Sequence, residues 1–293
     1  MTKVLTITSL QKSITHKEVE FDYFHIDMIP DAMRNMGWVM APKLMSHWFS
    51  IDPVFEFDKN TKDKMLKCNP IELNASEINS SIVTMDWAKN YSQVKEGIKK
   101  LKLGWNTPNG RNVLKRRLMA KGDFSQECIF LGMENDVKEL DAYAQVNFTL
   151  IGEKTDTIND WFGAMGNSNL KVCVKGSSGV LHSKSAFFVD KIGFYLKDTY
   201  DFLDENKFGY RIPEFLGVWS KKGILSKSDT LLFMSSYSAG LIGDLVRNFS
   251  GYCPVFNHDF RRWQKKHRTG GDYIILSDVF WTEPEDKDRV ILL

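Results

Sequence analysis

Apolar side chains recur at two different spacings along this chain, and the spacing changes near residue 140. Before that point they repeat in threes and fours. Pro30 opens a predicted helix that places Met33, Met36 and Met40 on one face. Pro42 interrupts it, because an interior proline removes a backbone hydrogen bond and crowds the preceding turn, and 43–49 continues as a second short helix or kinked turn. Trp87, Tyr91, Val94, Ile98 and Leu101 mark a helix over 86–103 that Gly104 stops. The Thr-Pro-Asn-Gly stretch at 107–110 predicts a turn, and 113–119 a short basic helix with Arg116 and Arg117 in solvent. The methionines, with Trp38, Trp48 and Phe49, read as core, since methionine fills irregular gaps.

After residue 140 the pattern alternates. A strand is predicted over 142–152, a short helix over 157–165, and a strand over 169–176 that alternates Leu170, Val172 and Val174 with polar residues. Ser177, Ser178 and Gly179 predict a turn, and 184–196 one or two further strands. Strands also follow at 214–219, 230–234, 273–279 and 289–293. Leu241, Ile242, Leu245 and Val246 make 238–249 a helix or sheet-covering segment. The fold class is therefore α+β, with a mainly helical region over 1–138 and a β-rich region over 139–293 that are free to share one core.

Composition narrows the functional classes. With 293 residues, 43% of them hydrophobic and 13% aromatic, the chain can bury a large core without staples. Thirty-nine basic and thirty-seven acidic side chains leave a net charge of +2, so nucleic acid is not an expected partner. Cys68, Cys128, Cys173 and Cys253 form no C-x-x-C pair, which signals neither a zinc site nor a disulfide framework. Residues 1–18 lack the apolar run and cleavage site of a secretory leader, and no apolar run reaches the length of a membrane span. The expected location is the cytoplasm of the producing cell, with any export by another route.

The candidate chemistry lies at the end of VDKIGFYLKDTYDF, residues 189–202, where Asp198, Tyr200 and Asp201 form a D-x-Y-D cluster. Strands usually end in Gly, Asn or Pro, so these acids either make side-chain turns or hold a metal or a phosphate-directed site. Asp198 and Asp201 could offer oxygen ligands to a hard cation such as Mg2+. Bases and cations could come from 256–272, which contains His258, Asp259, Arg261, Arg262, His267 and Arg268. On a helix, His258 lies beside Arg262, and Asp259 and Arg262 share a face. The other reading of this segment is a solvated amphipathic helix with Phe260 and Trp263 turned inward. His182 reads as a surface histidine, and Ser235 and Ser236 lack the G-x-S-x-G spacing of a hydrolase serine.

The order of the small-residue stretch 164–176, a strand, and then Lys-Asp-Thr-Tyr-Asp-Phe at 197–202 resembles the activity domain of colicin M over residues 160–205. The resemblance implies an open antiparallel β-barrel. It also implies metal-assisted hydrolysis of a phosphate linkage in lipid-linked peptidoglycan precursor, with Asp198, Tyr200 and Asp201 at the centre. In that family a His-Arg pair follows within a few residues. Here Lys207 and Arg211 follow, and the literal pair is His267 and Arg268. Over most of its length the chain also resembles a bacterial family encountered beside type VI secretion and PAAR-repeat genes. The segments that carry this second resemblance are 29–50, 82–88, YLKDTYDF with FLGVWS, and 270–279. It implies an antibacterial effector delivered to the periplasm of target cells, with a PAAR- or VgrG-type delivery protein and a cognate immunity protein as partners. The alternative is a non-catalytic adaptor, chaperone or immunity-like binding protein that keeps the fold without its chemistry.

Overall fold

The structure, a computed structural model, describes residues 24–153, 157–207, 210–212 and 214–293, with no side chain described over 205–213. The expectation about a leader at residues 1–18 lies outside the described residues. The helical half contains α1 (Ile29–Asn35), α2 (Ala41–Ser50), α3 (Lys59–Lys67), α4 (Met85–Ala88), α5 (Ser92–Gly104), α6 (Pro108–Lys121) and α7 (Val137–Tyr143). The short strands β1 (Ile78–Asn79) and β2 (Phe130–Leu131) lie among them. Next come β3 (Gln145–Ile151), α8 (Asp160–Ala164), β4 (Ser168–Leu181), β5 (Lys184–Tyr200), β6 (Glu205–Lys207), β7 (Tyr210–Ile212), β8 (Phe215–Ser220) and β9 (Gly223–Ile224). The chain finishes with α9 (Lys227–Ser238), α10 (Ile242–Asn248), β10 (Cys253–Phe256), α11 (Asn257–His267), β11 (Tyr273–Leu276), β12 (Phe280–Thr282) and β13 (Val290–Leu292).

The α+β class holds. Its centre is an eight-stranded mixed sheet with the path β1-β11-β5-β4-β2, in which β12 and β13 also pair with β5, and β3 with β4. Only the β1–β11 pairing in this sheet is parallel among the described residues. Strand β5 organises it: one edge meets β4 from Lys184 to Lys197, and the other meets β13, β12 and β11 in turn.

Side-chain alternation along these strands separates two hydrophobic clusters. Leu170, Val172, Val174, Phe194, Leu196, Tyr200, Tyr273 and Ile275 join the larger one, together with Trp48, Trp161 and Phe260 from the helices. Cys173, Tyr195, Ile274 and Leu276 point the other way and pack with Phe57, Met65, Val137 and Leu140. The larger cluster runs from Ile29 to Ile291, so the helical and β-rich halves contribute to one core.

Several local expectations are corrected. Residues 177–179 are strand, not turn: β4 continues to Leu181, and the chain reverses at His182 and Ser183, whose φ angles of 49° and 66° suit a two-residue hairpin. The small residues serve close packing instead. At Gly176 the β4–β5 register shifts, and a Cβ there would lie 2.0 Å from the carbonyl oxygen of Phe188. Residues 230–234, expected as a strand, lie within α9, where Ser226 caps the N-terminus by accepting from Asp229 N–H. The helix expected over 86–103 is two, α4 and α5. Thr107 caps α6 rather than starting a turn, and Pro108 occupies the first helical turn, where a missing N–H costs nothing.

Pro42 likewise begins α2 instead of interrupting a helix, because α1 has already ended before Gly37 turns the chain with φ +78°. The side chain that caps α2 comes from far along the chain. The Asp160 carboxylate accepts from the backbone N–H groups of Val39, Met40 and Ala41 at 2.7–3.0 Å, and from Trp87 Nε1 at 3.0 Å. This satisfies amides that a helix start leaves unpaired and sets a negative charge against the positive end of the helix dipole. Arg117, expected in solvent, instead donates to the carbonyls of Asp141, Ala142 and Gln145, at the C-terminal end of α7 and just beyond it.

Candidate functional site

The acidic cluster straddles the end of β5. Asp198, Thr199 and Tyr200 remain in the ladder, opposite Ile275, Ile274 and Tyr273 of β11, and Asp201 follows immediately. Alternation decides what each side chain meets. Lys197 turns to the smaller cluster, where it lies 2.7 Å from the buried carboxylate of Asp141, which also takes Lys171 at 2.5 Å and the Tyr195 hydroxyl. Asp198 and Tyr200 turn the other way, onto a cavity of about 840 Å³.

That cavity gathers groups from across the sequence. β5 and its extension supply Asp198, Tyr200 and Asp201, α3 supplies Lys62, and α11 supplies Asn257 and Arg261. Trp38 and Trp219 are also in the lining, in edge-to-face contact with centroids 6.1 Å apart. Asp198 Oδ2 accepts from the Ser168 hydroxyl at 2.8 Å, and Oδ1 from Thr199 N–H at 2.8 Å. Burial dominates its titration and pushes its pKa up to about 7; Thr199, Ser168 and Lys62 pull the other way, while Asp201 adds to the rise. Asp201 forms an ion pair with Lys62 at 2.8 Å. Burial works against the Lys62 charge, but Asp201, Asp198 and Glu214 outweigh it and hold this ammonium above its ordinary range. Tyr200 stacks on Tyr273 with centroids 5.6 Å apart, and burial raises its phenol pKa, so it serves as wall and core rather than as a proton carrier at neutral pH.

The predicted partners from 256–272 are not brought to the cluster. The segment is helical, as the amphipathic reading expected, and Asn257, Phe260, Arg261 and Gln264 follow one face inward at spacings of three and four. His258, Arg262, His267 and Arg268 fall on other faces and are absent from the cavity lining. His258 lies 3.2 Å from Asp259 and stacks on Phe256, Arg262 is exposed and 3.6 Å from Asp259, His267 stacks on Trp263, and Arg268 forms the left-handed helix end with φ 61°. The inward cation is Arg261, held by Asp272 at 2.5 Å. Among the lining residues there is no histidine. The side chains of Lys207 and Arg211 lie outside those described.

A divalent cation fits this donor set poorly. Asp198 is committed to Ser168 and Thr199, while Asp201 is already paired with Lys62. A carboxyl group binds a hard cation in its ionised form, and among the described residues no group of three or more His, Cys, Asp or Glu side chains is arranged to hold a metal. Arg261 belongs to the segment expected to supply cations, whereas Lys62, Ser168 and Asn257 escaped the sequence reading because no local pattern marks them. Lys62 is 139 residues from its partner Asp201.

Asp198 also makes stability depend on pH. Its folded pKa of about 7 lies above the unfolded value of 3.8, so the folded state holds an extra proton between the two. Stability present at the acid end is therefore lost as pH rises through that window, by about 4 kcal/mol at about 1.4 kcal/mol per pH unit. Urea denaturation at pH 5 and pH 8 should show the wild type losing stability relative to Asp198→Asn, and parallel behaviour of the two proteins would refute the assignment.

Searches among curated proteins and among solved structures find no match to the chain. The chain belongs to DUF6402, a family of unknown function that matches residues 24–292.

Proposed function

We propose that the chain is a hydrolase whose cavity carries out acid–base chemistry at Asp198, in the setting of an antibacterial effector acting on lipid-linked cell-wall precursor. The observation that carries this is the buried Asp198 carboxyl, titrating near neutrality on the wall of a cavity that also holds the Asp201–Lys62 ion pair. A carboxyl with a pKa near the working pH exchanges protons with the least loss in either direction. Asp198 takes a proton from the attacking water and delivers it to the leaving group, so that one water is added across one bond. Burial favours the protonated form of Asp198, and the Lys62–Asp201 ion pair beside it acts in both directions, Lys62 favouring the charged form and Asp201 the protonated one. In this reading the mixed sheet corresponds to the open barrel that the colicin M resemblance implies, and delivery follows the secretion setting implied by the second resemblance.

A second reading, a partner-binding protein, rests on α9 and α10. Residues 230–243 contain no charged side chain, and Leu231, Ile242 and Val246 are 71%, 70% and 65% exposed. Exposed apolar surface of this kind marks interaction sites. One experiment separates the two readings: expression in a bacterial host with and without a fused periplasmic export signal, beside Asp201→Asn. Lysis that needs export and is lost in the variant supports the hydrolase. Absence of toxicity in both compartments supports the binding protein.

A further inference from the structure

We infer that the cavity recognises a primary ammonium group carried on its ligand, a deepening that rests on reading the cavity as a substrate site. The lining residues include seven carboxyl side chains but only three cationic ones, Lys59, Lys62 and Arg261. Two of these cations are already committed, Lys62 to Asp201 at 2.8 Å and Arg261 to Asp272 at 2.5 Å. Concave surfaces lined by one sign of charge concentrate the opposite sign and repel their own. An ammonium enters this cavity with its field.

Three further features fit the same chemistry. The cavity already holds an ammonium: the Lys62 Nζ sits against Asp201, with Asp198 and Glu214 contributing to its stabilisation. Asn257, 2% exposed in the same wall, donates through Nδ2 to Leu203 O and Glu214, yet its Oδ1 has no hydrogen-bond partner. A buried acceptor left unpaired costs stability, and a donor-rich group such as an ammonium, with three N–H bonds and no acceptor, is what would relieve it. Trp38 and Trp219 add aromatic surface suited to a cation or to its aliphatic stem.

The ammonium could belong to a peptide side chain or to a free polyamine. Isothermal titration of the full chain at pH 8 and low ionic strength, with trilysine, spermidine and inorganic pyrophosphate as probes, distinguishes them. Trilysine is expected to bind, to weaken with added salt, and to lose about tenfold in affinity in Asp63→Asn/Asp204→Asn, two lining residues outside the proposed proton-transfer machinery. Spermidine binding equally well would assign the site to free polyamines, and weaker spermidine binding to peptide-borne amines; both support the proposal. Pyrophosphate binding as tightly as trilysine, no binding of either amine, or amine affinity unchanged in a double variant that melts like wild type would overturn it. Amine binding without any lysis on export would instead remove the hydrolase reading and leave this one standing.

Discussion

Asp198→Asn is expected to leave a folded protein whose rate of lysis on periplasmic export falls by about 10²–10⁴-fold, the range over which a positioned acid–base group contributes. The substitution preserves the shape of the side chain. The amide oxygen can still accept from Thr199 N–H, and the amide NH2 in the place of Oδ2 can donate to the Ser168 hydroxyl oxygen, whose own hydrogen then goes to Met165 O, so the local hydrogen bonds at the end of β5 survive. What disappears is the proton that moves near neutral pH. Because the wild-type carboxyl becomes a buried charge above pH 7, the variant should be at least as stable as the wild type at pH 8. Both quantities are needed: the rate of optical-density loss in exporting cells, and the urea midpoint of the purified proteins. A variant that melts normally and lyses cells at the wild-type rate would remove Asp198 from the chemistry.

The largest effect on stability is expected from Asp272→Leu. Asp272 is fully buried immediately before β11, where one carboxylate joins α2, the segment before α3, and α11. It accepts from Trp48 Nε1 in α2 at 2.9 Å, from Phe57 N–H at 2.8 Å, and from both terminal nitrogens of Arg261 in α11 at 2.5 and 3.1 Å. Leucine of similar volume fills the space but strands all these donors. Removing one partner of a buried ion pair costs about 3–5 kcal/mol, because the other charge remains without compensation. Against a typical total of about 5–15 kcal/mol, that is enough to unfold a marginal protein at 37 °C. The double variant Arg261→Met/Asp272→Leu should recover a substantial part of the loss, since it removes the stranded charge as well. If urea denaturation shows the double variant to be no more stable than the single one, the cost does not come from the unpaired guanidinium.

Periodicity was a good guide wherever one element could satisfy itself against a nearby apolar surface. Leu170, Val172 and Val174 alternate in sequence and alternate into the core, and Phe260 turns inward on a helix whose other faces are charged. The same reasoning failed where a residue's role depends on a partner far along the chain. Residues 177–179 carry turn-forming side chains, but the long ladder between β4 and β5 keeps them extended. Residues 230–234 have strand composition, but a capped helix start at Ser226 wins. The α+β class and the unusual acids Asp198 and Asp201 were therefore visible in the sequence alone, because each depends on local composition and spacing. The site around them was decided only in three dimensions. Folding brings Lys62 to Asp201 and Ser168 to Asp198. It also rotates Arg261 inward while leaving His267 and Arg268 outside, because the burial of Phe260 sets the orientation of the whole helix. Burial, which no single position encodes, is also what raises the Asp198 pKa to about 7.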